Sequence, residues 1–317
     1  MSSKSNDQGR AYEYACLHTL YQAIANIRPS VIIKNSSYVA AERAWKTLSG
    51  AERTLYKLSA QSIIQTIFAL EPNIIEQDTD KLSLYIQNDQ HGEEADVRDI
   101  IIERKDIIWE IGLSIKHNHM AVKHSRLSKN LDFGKKWYDV ECSESYWEEV
   151  KPIFDFLEDE KAKGTFFRDL RSKEDDVYVP LLNAFMKEIQ FQVNKENDVP
   201  KRMVQYLLSK YDFYKVISID AKKITTIQSF NMYGTLNLPS KVSEPTINIP
   251  QLELPTCLLH IGFKPGSKTA VIMSFDNGWQ FSFRIHNAKD IIESSLKFDV
   301  QIAGMPADVN ITYNCKW

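Results

Sequence analysis

The sequence predicts an α/β protein in which helices and strands are mixed over the first two-thirds of the chain and strands dominate the last third. Apolar residues recur at helical spacing near the start, and two β-type runs near the middle are separated by a segment of hairpin length. A second hairpin signal, Asn277-Gly278, lies near the end. We therefore expect a mixed sheet flanked by helices in residues 1–210 and a β-rich region in residues 211–317.

The first element is predicted to be a helix over Asp7–Ile27, with Asp7 as its N-cap. Its apolar stripe consists of residues spaced i, i+3, i+4 and i+7, namely Leu17, Leu20, Tyr21 and Ile24. The same reasoning predicts further helices at Ser37–Leu48, Ala51–Leu70, His119–Asn130, Glu144–Glu160, Tyr178–Asn194 and Val199–Tyr211.

Strands are predicted where β-branched and aromatic residues cluster between turn residues. They are Leu82–Ile86, the hairpin Val97–Ile102 and Ile107–Lys116, the hairpin Ala270–Phe275 and Trp279–His286, and the alternating run Leu296–Ile302. We expect the first hairpin to turn near Arg104 and Lys105.

Composition excludes several classes of protein. The chain has 317 residues, of which 43% are hydrophobic, so intrinsic disorder is excluded for most of its length. With 39 basic against 42 acidic residues, a nucleic-acid partner requires a local basic patch. The four cysteines form no CxxC pair, which argues against a zinc ribbon or a disulfide framework. We expect no secretory signal, no membrane span and a location in the reducing cytoplasm.

One strand carries two unlike faces. In Trp109–Lys116 the apolar residues alternate with Glu110, Gly112, Ser114 and Lys116. A turn near Arg104 places residues 93–96 opposite Ser114 and Lys116, so that the carboxylate of Asp96 faces the lysine. On the first helix, Glu13 lies one turn before Leu17 on the apolar stripe, where a carboxylate requires a partner or a metal.

Carboxylates beside a lysine suit metal-assisted phosphodiester hydrolysis. Carboxylate oxygens are ligands for Mg²⁺, and the metal stabilises charge on phosphoryl oxygens. A nearby ammonium orients water or neutralises developing charge. The alternative interpretation is a plain salt bridge at the end of two strands.

A local basic segment begins where this strand ends. The residues of it that we propose for DNA binding are His117, His119, Lys123, Arg126 and Lys129. Helical spacing would place several of them on one side, a face suited to DNA phosphates. A solvated helix face is the alternative.

The hairpin after Asn277-Gly278 also has two faces. Aromatic and aliphatic residues point one way as core, and hydrogen-bonding residues point the other way. The second set is Gln280, Ser282, Arg284 and His286. It suits contacts with base edges in a DNA groove, although a solvated sheet face is the commoner case.

Four stretches of the sequence, taken together, are similar to those of a known protein family. Asp96-Val-Arg-Asp99, Trp109–His119, Ser5–Tyr14 and Phe283–Asn287 resemble the HaeIII family of type II restriction endonucleases. Because the stretches lie near both ends and in the middle, the resemblance covers the whole chain.

This resemblance implies a PD-(D/E)XK-type nuclease core that cuts double-stranded DNA at GGCC with Mg²⁺, leaving flush ends with 5′-phosphates. A palindromic target favours a homodimer. On the motif, Asp96 matches the first acid and Lys116 the lysine, whereas Ser114 stands where the second acid is expected. The missing metal ligand must then come from elsewhere, with Glu13 as the first candidate and Asp99 as the second.

Two other functions fit the same residues. A DNA-binding protein without nuclease activity, such as a repressor, would use the basic segment and the polar sheet face alone. A structure-specific or repair nuclease would share the core and spare an intact palindromic site. A methyltransferase is disfavoured, because no glycine-rich cofactor loop follows an early strand.

Overall fold

A computed structural model describes residues 2–88, 96–118, 123–306 and 312–317. The chain forms two compact units, each assembled from separate segments. The seven-strand unit contains residues 1–120, 210–252 and 308–317, and the five-strand unit contains residues 121–209 and 253–307. The sequence predicted a single boundary near residue 210, whereas the units interleave along the chain.

The helices and strands of the described residues are as follows. The helices are α1 (Ser2–Ala25), α2 (Ser36–Thr47), α3 (Gly50–Ser62), α4 (Ile64–Leu70), α5 (Pro72–Ile75), α6 (Phe133–Tyr138), α7 (Glu144–Ala162), α8 (Val179–Lys195) and α9 (Val199–Leu207). The strands are β1 (Ser30–Ile32), β2 (Leu82–Ile86), β3 (Ile100–Arg104), β4 (Trp109–His117), β5 (Lys123–Ser128), β6 (Phe213–Ile219), β7 (Ile224–Phe230), β8 (Leu258–Phe263), β9 (Ala270–Phe275), β10 (Gln280–His286), β11 (Ser295–Gly304) and β12 (Thr312–Lys316).

The seven-strand unit is built on a mixed sheet with the order β1-β2-β3-β4-β6-β7-β12. Strand β1 runs parallel to β2 and β4 runs parallel to β6, while the other neighbours are antiparallel. The predicted mixed α/β sheet is therefore confirmed.

Helices α1 and α3 cover one face of this sheet. The predicted stripe of α1 is confirmed, since Leu17, Leu20 and Ile24 are fully buried in the core. The helix begins at Ser2, so Asp7 lies inside it and is not its N-cap. The residues before Asp7 contain neither proline nor glycine, which leaves the helix free to extend. The predicted helix Ala51–Leu70 is divided at Ile63 into α3 and α4.

The five-strand unit contains an antiparallel sheet with the order β5-β11-β10-β9-β8. Its core is aromatic, with Trp137, Phe185 and Phe283 packed on one another. The hairpin at Asn277-Gly278 is confirmed, and both residues have positive φ, 55° and 83°. Positive φ is the backbone conformation for which asparagine and glycine are favoured in turns.

The helix predicted at His119–Asn130 is wrong where the structure describes it. Residues Lys123–Ser128 form strand β5, which pairs antiparallel with β11. Within it, Ser125 and Leu127 are buried two residues apart. The pattern therefore has the period of a strand, and pairing with a distant segment overrides local helix propensity.

The cysteines and the helices bear on two predictions about the class of protein. The four cysteines are free, as predicted from their scattered positions. Over the described residues, no helix has the length and apolar character needed to cross a bilayer.

Candidate active site

The hairpin of β3 and β4 positions the central groups. Its register pairs Ile100 with Leu113 and Arg104 with Trp109. A 3₁₀ turn over Lys105–Ile107 joins the strands, and Ile108 follows it with a φ of 54°. The expected register, with Asp96 opposite the end of β4 at Ser114 and Lys116, is therefore wrong, and the other residues of that expectation, 93–95, lie outside the described residues.

The physical reason lies in Arg104, which belongs to the strand and not to the turn. Its guanidinium is fully buried and donates to the carboxylates of Glu76, Asp78 and Asp80. These ionic hydrogen bonds hold Arg104 in the sheet and shift the turn toward the C-terminus. As a result, Asp99 lies immediately before β3, its backbone N–H donates to the carbonyl of Leu113, and its carboxylate reaches the end of β4.

Asp99, Ser114 and Lys116 form one cluster. The Oδ2 atom of Asp99 accepts hydrogen bonds from Nζ of Lys116 at 3.0 Å and from the backbone N–H of Ile115 at 2.6 Å. The hydroxyl of Ser114 lies at 3.5 Å from the same oxygen. The side chains of Lys116 and Asp99 are 24% and 26% exposed, so solvent or a substrate can reach them. The cluster can hold a cation and present an ammonium to an anionic group.

Asp96 has other partners. Both of its carboxylate oxygens accept hydrogen bonds from the guanidinium of Arg98, at 2.8–3.1 Å. Arg98 also donates to Glu110 at 2.7 Å, and its guanidinium lies 4.0 Å from the ring centre of Tyr211. These carboxylates raise the pKa of Arg98, although its burial acts in the opposite direction. Asp96 is thus engaged in a buried ion pair.

Gly112 makes room for that ion pair. A Cβ atom at this position would lie 2.8 Å from Cβ of Arg98 and closer still to the next two carbons of its side chain. The glycine therefore allows the arginine to lie flat against β4. Arg98 ties residues 96–98 to the neighbouring strand, immediately before Asp99.

Glu13 lies partly buried on α1, which packs against β4. Over the described residues, no three acidic, histidine or cysteine side chains form a group that could hold a metal ion. Asp96, Glu13 and Asp99, the predicted first acid and the two candidates for the helper carboxylate, therefore do not form one group of three. What the hairpin offers is one carboxylate beside one hydroxyl, an oxygen set of the kind that fits Mg²⁺.

His117 points away from Lys116. Its Nε2 lies 2.8 Å from Oδ2 of Asp220, and its Nδ1 lies 3.3 Å from the hydroxyl of Tyr56. Because the histidine side chain is only 6% exposed, it is poorly placed to contact DNA. Its ring fastens β4 to the end of β6, a structural position that alternation along the strand could have indicated.

The other residues of the basic segment that were predicted to bind DNA differ in their surroundings. His119 and the side chain of Lys123 lie outside the described residues. Lys129 donates to Asp155 and Glu158 of α7 at 3.1 and 2.5 Å. Arg126 is 41% exposed and donates to the hydroxyl of Ser295 at 2.7 Å. Of the described cations in this segment, Arg126 is the better placed for a phosphate.

Strand β10 shows the two faces that the sequence predicted. Its core face is fully buried, whereas Arg284 is exposed and lies 3.4 Å from Asp299. Gln280 donates to the hydroxyl of Ser274, and His286 lies at 2.9 Å from the carbonyl of Asn287. Ser282, partly buried, occupies the register position between Gln280 and Arg284.

A cationic row crosses three strands of the five-strand sheet. His286 of β10 pairs with Lys297 of β11, which pairs in turn with Arg126 of β5. Residues in register share a face, so these three side chains lie beside one another at the strand spacing of about 4.8 Å. Lys297 was not identified from the sequence, because its neighbours in the row lie far away along the chain.

A second lysine was also missed. Lys215 pairs in register with Ser114 across the parallel strands β4 and β6, and it is 3% exposed. Burial, together with the charge of Lys116, lowers its pKa to about 8. The available signal was a lone lysine inside the otherwise apolar run Phe213–Val216.

A mixed sheet flanked by helices, with the aspartate just before one strand of a hairpin bound to a lysine on the other strand, is consistent with a nuclease-like α/β protein. A family model, HaeIII restriction endonuclease, matches residues 9–306. The type II restriction enzyme HaeIII of Haemophilus aegyptius is 52% identical over 310 residues, covering 98% of this chain and 97% of the relative. No solved structure matches the chain significantly. The chain belongs to the HaeIII restriction endonuclease family and is a type II restriction endonuclease, a site-specific deoxyribonuclease.

Proposed function

We propose that this endonuclease hydrolyses double-stranded DNA at GGCC with Mg²⁺, leaving flush ends that carry 5′-phosphates and 3′-hydroxyls. The observation that supports the chemistry is the contact between Asp99 and Lys116 at the end of the β3–β4 hairpin. The target sequence and the form of the ends rest on the likeness to the HaeIII family. A cytoplasmic location, where a cell's DNA is accessible, accords with this function.

Asp99 and Ser114 are the residues proposed to hold the metal. The carboxylate supplies an anionic oxygen and the hydroxyl a neutral one. When bound, the ion supplies charge neutralisation at the phosphoryl oxygens and acidifies water. Glu13 remains the candidate for a further carboxylate. Asp96 is the weakest of the three, because Arg98 occupies both of its oxygens.

Lys116 is proposed to act on the attacking water and the phosphate. Its Nζ is held by Asp99, so that the ammonium is oriented before substrate arrives. In the reaction, the water oxygen forms a bond to phosphorus while the bond from phosphorus to the 3′-oxygen breaks. One proton of the attacking water passes to solvent, and the leaving 3′-oxygen takes a proton from solvent. Lys116 donates a hydrogen bond to the negative charge that develops on the phosphoryl group.

The polar face of the five-strand sheet is the proposed DNA-recognition surface. Arg284 is exposed on it and has the bidentate donor geometry that reads guanine. Lys297 and Arg126 of this row supply charge for phosphates, and His286 lies beside them in register. Because the proposed target is a palindrome, we propose that two copies of the chain act as a symmetric homodimer.

Digestion of a DNA of known sequence tests the whole proposal. The purified protein with Mg²⁺ should yield discrete fragments whose ends read GG and CC, and chelation by EDTA should abolish cleavage. Sequencing of the ends reports the target and the position of the cut together. Fragments with another end sequence would refute GGCC, and cleavage that persists in EDTA would refute the role of the metal.

A further inference from the structure

In the described part of the chain, the end of β4 that carries Lys116 is paired with a strand on one side only. Its pairing with β3 reaches no further than Leu113, whereas its pairing with β6 continues to His117. On the side of β3, the carboxylate of Asp99 binds residues 115 and 116. Strand ends with few neighbours open locally at a low free-energy cost. The position of Lys116 therefore depends on the contacts that hold this end.

Asn118 and Asp220 join the ends of β4 and β6. Asn118 directly follows β4 and has a φ of 53°, a conformation that asparagine tolerates. Its backbone N–H donates to the carbonyl of Ser218 at 2.8 Å, and its side-chain amide donates to Oδ2 of Asp220 at 3.2 Å. The backbone N–H of Asp220 donates in return to Oδ1 of Asn118 at 3.0 Å. These three hydrogen bonds fix the first residue after β4 to the end of β6 and to the turn that follows it.

Asp220 also binds His117, the last residue of β4. Its Oδ2 lies 2.8 Å from Nε2 of the ring, and this nitrogen carries the proton because a carboxylate only accepts. Nδ1 of the same ring lies 3.3 Å from the hydroxyl of Tyr56 on α3. One carboxylate therefore binds the side chains of the two residues that directly follow Lys116. The side chain of Asp220 is 29% exposed, so it can be replaced without opening a buried cavity.

The ring of His117 also contacts α1, the helix that carries Glu13. The ring centre of Tyr12 lies 5.6 Å from that of His117 and 5.5 Å from that of Tyr56. Tyr12 directly precedes Glu13, and His117 directly follows Lys116. The helix and the strand that carry these two proposed active-site groups thus meet through the residues next to them.

We propose that Asp220 is a positioning residue for DNA cleavage. By binding His117 and Asn118, its carboxylate fixes the end of β4, and the ammonium of Lys116 is thereby held where charge develops on the phosphoryl group. Holding a reacting group in place before substrate arrives lowers the entropic part of the barrier. The inference rests on the role proposed for Lys116 above and assigns the residue that fixes the strand of that lysine.

The first test compares Asp220→Ala with Asp220→Asn. Asp220→Ala should lower kcat about 10-fold, because small misplacements of a reacting group are costly. KM for a short duplex should stay within about threefold of wild type, since the loss falls on the transition state. Asp220→Asn keeps an accepting oxygen and should recover most of the kcat. Asn118→Gly keeps the positive φ and removes the amide, so it should also lower kcat.

Asp106→Ala is the matched control for these variants. Asp106 is an exposed acid in the 3₁₀ turn at the other end of β4, so its replacement should leave kcat and KM unchanged. Urea unfolding of each protein verifies that it is folded under the conditions of the cleavage assay.

A double-variant cycle tests whether Asp220 acts through Lys116. If Asp220 only positions the ammonium, Asp220→Ala/Lys116→Met should cut within about twofold of Lys116→Met alone. Single-turnover cleavage with enzyme in excess measures these slow rates. A merely structural aspartate predicts instead that the two losses multiply, because general destabilisation lowers activity whether or not the lysine is present.

Several results would overturn the inference. They are a wild-type kcat in Asp220→Ala and Asn118→Gly, an Asp220→Asn variant as slow as Asp220→Ala, and losses that multiply in the double variant. If the wild-type protein cuts no duplex DNA with Mg²⁺, or if Lys116→Met cuts at the wild-type rate, the proposed function itself fails and this inference falls with it. Those two results involve no Asp220 variant, so the two failures can be told apart.

Discussion

Asp99, the residue immediately before β3, accepts a hydrogen bond at 3.0 Å from Nζ of Lys116 on the neighbouring strand β4. The backbone N–H of Ile115 donates to the same oxygen, so the carboxylate is fixed by the strand that carries the lysine. Asp96, three residues earlier, is fixed by Arg98. Asp99 and Asp96 thus have different hydrogen-bond partners. Substituting them should therefore affect different properties, activity for Asp99 and stability for Asp96.

We expect Asp99→Asn to lower kcat at least 1,000-fold while DNA binding in Ca²⁺ stays within about threefold of wild type, because the variant loses the ligand and keeps the shape. Asp96→Asn should lower the urea midpoint more than Asp99→Asn, since it leaves a buried arginine short of a partner. Plasmid cleavage rates, gel shifts and urea unfolding measure these quantities. Equal activity of Asp99→Asn and wild type would refute the assignment. Glu13→Gln in the same assay decides whether the helix supplies a further ligand.

Lys116→Met should lower kcat by about 100-fold or more with little change in KM, because the ammonium acts on charge that develops only in the transition state. Steady-state cleavage of a short duplex containing GGCC gives both constants. Lys105→Met, in the exposed turn of the same hairpin, serves as the matched control. A variant that keeps wild-type kcat would exclude a catalytic role for Lys116.

The existence of this hairpin, and the division of β4 into two faces, could be predicted from alternation alone. Its register could not, because Arg104 is held in the sheet by acids from a separate segment near Asp78. Strand β5 was predicted as a helix, since its partner β11 lies far along the chain. For the same reason neither Lys215 nor Lys297 was identified. The local sequence pattern therefore predicts that a strand or helix exists, whereas the strands that pair with it are determined by the topology of the sheet.

Gly112→Ala should destabilise the protein by roughly 1–3 kcal/mol, because the added methyl group overlaps the side chain of Arg98. The double variant Gly112→Ala/Arg98→Ala should lose less than the sum of the two single variants, since the clash disappears with the arginine. Urea unfolding of the four proteins completes the cycle. If the losses of unfolding free energy in the two single variants simply add up in the double variant, the contact with Arg98 does not explain the glycine.

Variants of the cationic row should weaken DNA binding in proportion to the phosphate contacts removed. Lys297→Ala should reduce the slope of log affinity against log salt by about one, and Arg284→Ala should relax discrimination against altered GGCC sites. Gel shifts in Ca²⁺ at several salt concentrations measure both effects. Lys187→Ala is the control, because Lys187 is exposed on α8 and paired with Glu149. Unchanged affinity in Lys297→Ala would place the DNA elsewhere.

The buried carboxyl of Glu71 should make stability depend on pH near neutrality. Its Oε1 accepts hydrogen bonds from the hydroxyl of Tyr214 and the backbone N–H of Asn237, whereas its Oε2 makes none within the described part of the chain. Burial raises the pKa of this carboxyl from 4.5 to about 7. The folded protein therefore binds the proton more tightly than the unfolded chain between those pH values.

It follows that the contribution of Glu71 to stability falls as the pH rises from about 4.5 to about 7, and it is constant above that range. Glu71→Gln keeps an accepting oxygen and cannot ionise, so its free energy of unfolding should lack this fall. Relative to wild type, the variant should gain up to about 3 kcal/mol over the interval, at about 1.4 kcal/mol per pKa unit. Urea unfolding at pH 5, 6, 7 and 8 measures the difference. Parallel pH profiles for the two proteins would show that Glu71 is ionised throughout, and that Tyr214 and Asn237 stabilise the charged form.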